Sequence, residues 1–311
     1  MDQLVILIAG PTGVGKTDFV EKIVCSLQKE FLDKKVSIIN ADMGQFYEPI
    51  SIGTAKPENL EKGRDYLFGI INEPTEINVT QYRKMVLDNI RQSLSENKIP
   101  IIVGGSGFYL RSIFYLIEEA PAIRSLKSEV ARNLISENKN TESLWKELEE
   151  IDPERAKKIP INDRYRIERA LEIWHSTGIK PSSLKPKLNI PFKFKFIYLT
   201  RSRPELYNII DNRVIKMIEA GWINEVKNLD QSWIDFLKIK KIIGYPEIIE
   251  YSAGGNSAEG DPSKVSLEKL ISIIQQKTRN YAKRQETFFR QLVRDLNNEI
   301  KDSAVEYNLT L

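Results

Sequence analysis

Apolar and polar positions follow two different rhythms along the 311 residues. In the first 115 residues, short continuous apolar runs alternate with stretches whose apolar positions recur every three or four residues. Leu4–Ala9, Val36–Asn40 and Ile99–Val103 predict buried strands; Asp18–Phe31 and Val79–Glu96 predict amphipathic helices. Strands alternating with helices imply a parallel α/β sheet, in which ligands sit beyond the carboxyl ends of the strands. Three polar loops, 10–17, 41–47 and 104–109, follow those ends and are expected to converge.

Between Glu118 and Pro191 the spacing turns helical, with Pro121, Pro153, Pro160 and Pro181 as breaks, which predicts a helical insertion. Phe192–Thr200 alternates and then becomes apolar, a return to the sheet. The remainder reads as helical, interrupted by a loop rich in Gly, Ser, Asn and Pro at Ser252–Ser263. The expected architecture is α/β: a P-loop-type core with a mainly parallel sheet flanked by helices, formed by 1–117 and 191–311. A helical insertion domain, 118–190, completes it.

Composition narrows this picture only a little. At 41% hydrophobic and 29% charged residues the chain is an ordinary globular one, long enough for a large core and an added domain. A net charge of +3 leaves nucleic-acid binding to be decided by local clustering. The single cysteine, Cys25, excludes an internal disulfide and points to a reducing compartment; its place in a helical pattern predicts a small core residue. One Cys and one His exclude a Cys/His zinc site. No apolar stretch reaches the length of a membrane span, and the apolar start lacks a basic leader, so neither span nor signal peptide is expected. A cytoplasmic monomer is the expectation.

The chemistry begins at Gly10-Pro11-Thr12-Gly13-Val14-Gly15-Lys16-Thr17. A glycine turn between a buried strand and a helix start points several backbone N–H groups at one anion. Lys16 adds a point charge for the outer phosphates, and the Thr17 hydroxyl is a ligand for Mg²⁺. Asp42, past the second strand, either supports that metal indirectly or serves as a general base; Gln45 and Tyr47 add polar grip beside it. Gly104–Tyr109 is a second glycine turn after a strand, carrying the Ser106 hydroxyl. In the insertion, Arg164, Arg166 and Arg169 are partly neutralised by Asp163 and Glu168. Lys277 to Arg294 holds six basic residues against Glu286 alone. At about 100° per residue, Arg279, Lys283, Arg290 and Arg294 fall within about 60° of one another, with Ile274, Tyr281, Phe288 and Leu292 on roughly the opposite side. One face is expected to pack and the other to meet a phosphate backbone.

Together these motifs resemble the tRNA dimethylallyltransferase (tRNA isopentenyltransferase) family, from Gly10 to about Phe288. The resemblance is carried by Gly10–Thr17, Asp42–Tyr47, Gly53-Thr54-Ala55-Lys56-Pro57, Gly104–Tyr109, Asn162–Glu172, Ile243-Gly244-Tyr245 and Thr278–Thr287. Met43 replaces a usual serine, Ser106 a usual threonine, and Phe288 a common tryptophan; the family's paired histidines are missing around Arg64–Leu67. The resemblance implies transfer of a dimethylallyl group from its diphosphate to N6 of adenosine 37 in tRNA, with Mg²⁺ as cofactor. Gly10 to Thr17 would hold the diphosphate. Asp42, Lys16, Thr17 and, as a further candidate, Arg213 would form the reaction centre. It also implies tRNA contacts at Asp42, Met43, Gly44, Gln45, Ser106, Arg166, Ile167, Glu168, Arg169, Ala170, Gly244, Tyr245, Arg279, Lys283, Arg284 and Gln285.

Overall fold

The computed structural model describes residues 4–30, 34–116, 140–253, 266–301 and 304–309. They form two compact units, 1–113 with 190–311 and 114–189. The larger unit is built on a six-stranded, wholly parallel sheet in the order β3-β2-β4-β1-β7-β8. Its strands are β1 (Leu4–Ala9), β2 (Lys35–Asn40), β3 (Asp65–Tyr66), β4 (Lys98–Gly104), β7 (Lys193–Thr200) and β8 (Ala304–Asn308). The apolar runs became central strands because both faces are covered: five of six positions in β1 and β2 are buried. Each such aliphatic side chain contributes roughly 1.5–3 kcal/mol by leaving water.

The helices of this unit are α1 (Lys16–Glu30), α2 (Val79–Ser95), α3 (Gly107–Phe114), α7 (Arg203–Glu219), α8 (Trp222–Lys227), α9 (Gln231–Lys240), α10 (Tyr245–Ala253) and α11 (Leu267–Glu299). α2 starts where predicted because Asn78 and Gln81 form a reciprocal capping box. α1 lays Val20 and Val24 onto the sheet. Cys25, one position further round, is exposed rather than in the core. Helices α7 to α11 gather around a second core of Tyr47, Trp222, Trp233 and Tyr245. The loop expected over Ser252–Ser263 lies, beyond Ala253, outside the described residues, as does Pro121.

Two strands of this larger unit were not anticipated. β3 is only two residues long, and β8 buries one residue of five, so neither carries a readable apolar alternation.

The smaller unit holds β5 (Tyr115–Leu116), β6 (Lys187–Leu188), α4 (Thr141–Ile151), α5 (Pro153–Ala156) and α6 (Arg164–Thr177). Its core is Leu144, Leu148, Ala156, Ile159, Ile167, Ala170 and Leu171. β5 and β6 pair antiparallel, so a strand, β6, lies inside the segment 118–190 predicted to be helical, and its partner β5 stands just before that segment. No helix among the described residues is long and apolar enough to cross a membrane.

Candidate active site

Three loops meet at the carboxyl edge of β1, β2 and β4. Ser106 donates its backbone N–H to Ala41 C=O at 3.1 Å, and its hydroxyl accepts the Met43 N–H at 2.9 Å. A Cβ on Gly104 would lie 2.2 Å from the Ala41 carbonyl, so only glycine lets these two chains touch. Gln285 of α11 ties the loop 10–17 to the loop 104–109: it accepts the Thr12 N–H at 2.9 Å and donates to Gly105 C=O at 2.8 Å. A cavity of ≈ 270 Å³ results, lined among others by Lys16, Thr17, Asp42, Gln45 and Gly104.

Asp42 caps the one-turn helix Met43–Phe46, accepting the Gly44 N–H at 3.2 Å. Its backbone is pinned by the buried Asn40, which accepts the Asp42 N–H at 2.8 Å and donates to Asp42 C=O and Leu67 C=O, each at 3.0 Å. Burial pushes the Asp42 carboxyl above its ordinary range, opposed by Lys16, the Gly44 N–H and Arg213. Burial pulls the Lys16 ammonium down to about 8; Asp42 opposes the fall and Arg213 adds to it. Lys16 folds back onto its own loop, donating to Gly10 C=O and Pro11 C=O at 3.0 Å each. Arg213 reaches these charges from α7, its guanidinium destabilised by burial and supported by Asp42. One carboxylate and two cations therefore share one half-buried floor, an arrangement suited to a polyanion entering beside an acceptor that has a proton to give.

Several anticipated binding residues turn out to hold the site's walls. Gln45 donates to Thr54 C=O and Ala55 C=O at 3.2 and 2.9 Å, fixing the loop 53–57. Glu225 of α8 holds that loop from behind, accepting the N–H groups of Ser51, Ile52 and Gly53 at 2.8, 2.7 and 3.4 Å. Tyr245, fully buried, donates its hydroxyl to the same carboxylate at 2.7 Å. Gly244 is buried against the Trp222 ring, and Gly44 against Thr54. Gln285 is 5% exposed and occupied at both amide atoms. Met43 replaces serine harmlessly for the turn, because its backbone makes the contact. Where the paired histidines are absent, Arg64 bonds Asp65 and Glu61, and the Leu67 carbonyl braces Asn40.

The basic carboxyl-terminal helix also differs from its wheel. Arg279 is spent on Asp211 at 2.5 Å, and Lys277 pairs with Glu247; both partners come from other helices. Lys283 and Arg284 stay exposed. Phe289, not Phe288, is the buried ring, and Tyr281 and Phe288 are only partly covered. In the smaller unit, Arg166 and Arg169 are exposed while Ile167 and Ala170 are core residues, which corrects the expectation that those two side chains meet RNA. Arg164, Arg166 and Arg169 pair with Glu168, Asp163 and Glu172 at 2.7, 3.3 and 3.0 Å.

Asn40, Trp222 and Glu225 were missed. Asn40 left one signal, a polar residue closing an otherwise apolar strand. Glu225 left none, since the loop it holds lies more than 170 positions away.

Residues 45–292 match the family model described as IPP transferase. A tRNA dimethylallyltransferase of Alkaliphilus oremlandii is 36% identical over 299 residues, covering 93% of this chain and 89% of that protein. One of Thermotoga maritima is 36% identical over 313 residues, with 98% and 92% coverage. Among solved structures, a eukaryotic dimethylallyltransferase acting on tRNA superposes with a TM-score of 0.77 at 26% identity, covering 98% of this chain and 74% of that one. The full-length tRNA isopentenylpyrophosphate transferase of Bacillus halodurans gives 0.58 at 27% identity, with 99% and 90% coverage. With a family model spanning most of its length and relatives alike in sequence almost end to end, the chain belongs to the IPP transferase family.

Proposed function

We propose that this chain transfers the dimethylallyl group of dimethylallyl diphosphate to N6 of adenosine 37 in tRNA and releases diphosphate. The observation that carries the reading is the cavity lined by Lys16, Thr17 and Asp42 beneath three converging loops, with Arg213 near enough to act electrostatically on both charges. The N–H groups of the loop 10–17, with Lys16 and Arg213, take the diphosphate and favour the charge that gathers there as the allylic C–O bond breaks. The bond's electron pair leaves with the diphosphate, and the N6 lone pair forms the new C–N bond. N6 gives up one proton, and Asp42, whose carboxyl burial already makes more basic, accepts it.

Thr17 lines the cavity and offers a hard hydroxyl oxygen of the kind Mg²⁺ takes beside phosphate oxygens and water, so the residues fit this ion. When bound, Mg²⁺ neutralises charge on the departing diphosphate. The target adenine must leave its stack to reach the floor. Arg166 and Arg169 of the smaller unit, and Lys283 and Arg284 of α11, supply exposed cations for the tRNA backbone. The local ion pairs of Arg166 and Arg169 are worth about 0–1 kcal/mol each and exchange readily for phosphate.

The test is incubation with Mg²⁺, labelled dimethylallyl diphosphate and unmodified tRNA. Label is expected on tRNA, at N6 of adenosine 37. Label only on free AMP would overturn the tRNA assignment, and no transfer to either would overturn the prenyl-transfer reading.

A further inference from the structure

The crevice has an aromatic rim that the transfer chemistry leaves without a task. Phe108 stands in the first turn of α3, two residues beyond Ser106, and exposes 68% of its surface. Its ring lies 5.2 Å from that of Phe288 on α11, at 59°. Phe288 is backed in turn by the buried Phe289, 5.8 Å away and nearly perpendicular. The contact depends on Gly107: a Cβ there would meet the Phe288 ring at 2.5 Å. The two rings are thus fixed side by side, beside the hydroxyl that positions the Asp42 turn.

Tyr281, Arg284 and Phe288 follow at spacings of three and four, so they share a face of α11. The Arg284 guanidinium sits over the Tyr281 ring, 5.8 Å from its centroid. Tyr281 is the inner end of this row, half-buried and close enough to Asp42 to feel its charge. From Asp42 outward the order is therefore ring, cation, then two rings at the mouth. Aromatic faces interleaved with a cation suit unpaired nucleobases, which stack on rings whatever their identity. A base extracted from its strand leaves its neighbours without a stacking partner.

We propose that the Phe108–Phe288 pair stacks on the nucleobase adjoining the target adenosine, with Arg284 on the intervening phosphate. This rests on the tRNA reading above and adds a stacking subsite to it.

The test measures KM for an anticodon stem-loop with wild type, Phe108→Ala and Phe108→Trp, and then with stem-loops made abasic on either side of the target. Phe108→Ala should raise the RNA KM about tenfold, leaving the donor KM and melting temperature at wild-type values, and Phe108→Trp should restore it. One abasic neighbour should raise the wild-type KM by the same factor and add nothing in Phe108→Ala. An unchanged RNA KM in Phe108→Ala, or abasic and variant effects that multiply, would overturn the stacking subsite alone. A wild type that does not modify the intact stem-loop would overturn it together with the tRNA reading.

Discussion

The crevice and the arginine helix of the smaller unit carry similar charges but use them in opposite ways. In the crevice, Lys16, Asp42 and Arg213 are drawn from α1, the loop after β2, and α7, and burial displaces the ionisation of all three. On α6, each arginine pairs with a carboxylate one turn away, and Arg166 and Arg169 keep 57% and 47% of their side chains in solvent. The first arrangement costs folding free energy to hold charges out of water, which makes sense only if a ligand later uses them. The second costs almost nothing and gives up its partners cheaply. On the proposed function, chemistry belongs to the first kind of site and backbone grip to the second.

Removing a crevice charge should break this contrast most visibly. Lys16→Ala is expected to lower kcat/KM for the donor by about 10²–10³-fold while leaving tRNA affinity close to wild type, as separate titrations of the two substrates would report. The ionisation of Lys16 sharpens the point. Diphosphate favours the ammonium form, so binding is strongest below about 8 and the donor KM climbs as pH rises past it, by up to about tenfold per unit. Lys16→Arg should erase that inflection, because a guanidinium stays charged there. A donor KM flat from pH 7 to 9 in wild type would show that the crevice charge is not displaced.

Glu225→Ala probes the wall behind the site. It strands three backbone N–H groups and the Tyr245 hydroxyl, and should cost about 3 kcal/mol of stability in a denaturant titration. The smallest effect is expected in the other region. Arg169→Ala should raise the tRNA KM only a few-fold, reduce the slope of log affinity against log salt by about one, and leave the donor KM unchanged. A loss there as large as that of Lys16→Ala would erase the distinction between the two regions.

Legibility in the sequence followed the range of the interaction. β1, α1 and the loop between them could be read because every determinant lies within about 25 residues: an apolar run, a glycine turn, and apolar positions one helical turn apart. β4 and α2 were readable for the same reason. β8 was not, since an edge strand with one buried residue borrows its conformation from β7. The site divided the same way. Lys16, Thr17 and Asp42 announced themselves by position after strands, whereas Glu225 serves a loop far away in the chain. The helical wheel of α11 went astray because Asp211 and Glu247, on other helices, pair with two of its cations. Ile167 and Ala170 sit inside a motif rich in arginine, and only packing separates the side chains that face water from those that do not.

On the proposed function, Asp42 acts on the acceptor rather than holding the donor. Single-turnover transfer to tRNA by Asp42→Asn, measured beside equilibrium binding of dimethylallyl diphosphate in Mg²⁺, tests it most directly. The expected rate is roughly 10²–10⁴-fold below wild type, with donor affinity within about threefold of it. A donor affinity that collapses while the rate at saturating donor survives would contradict it and move Asp42 to the metal and diphosphate.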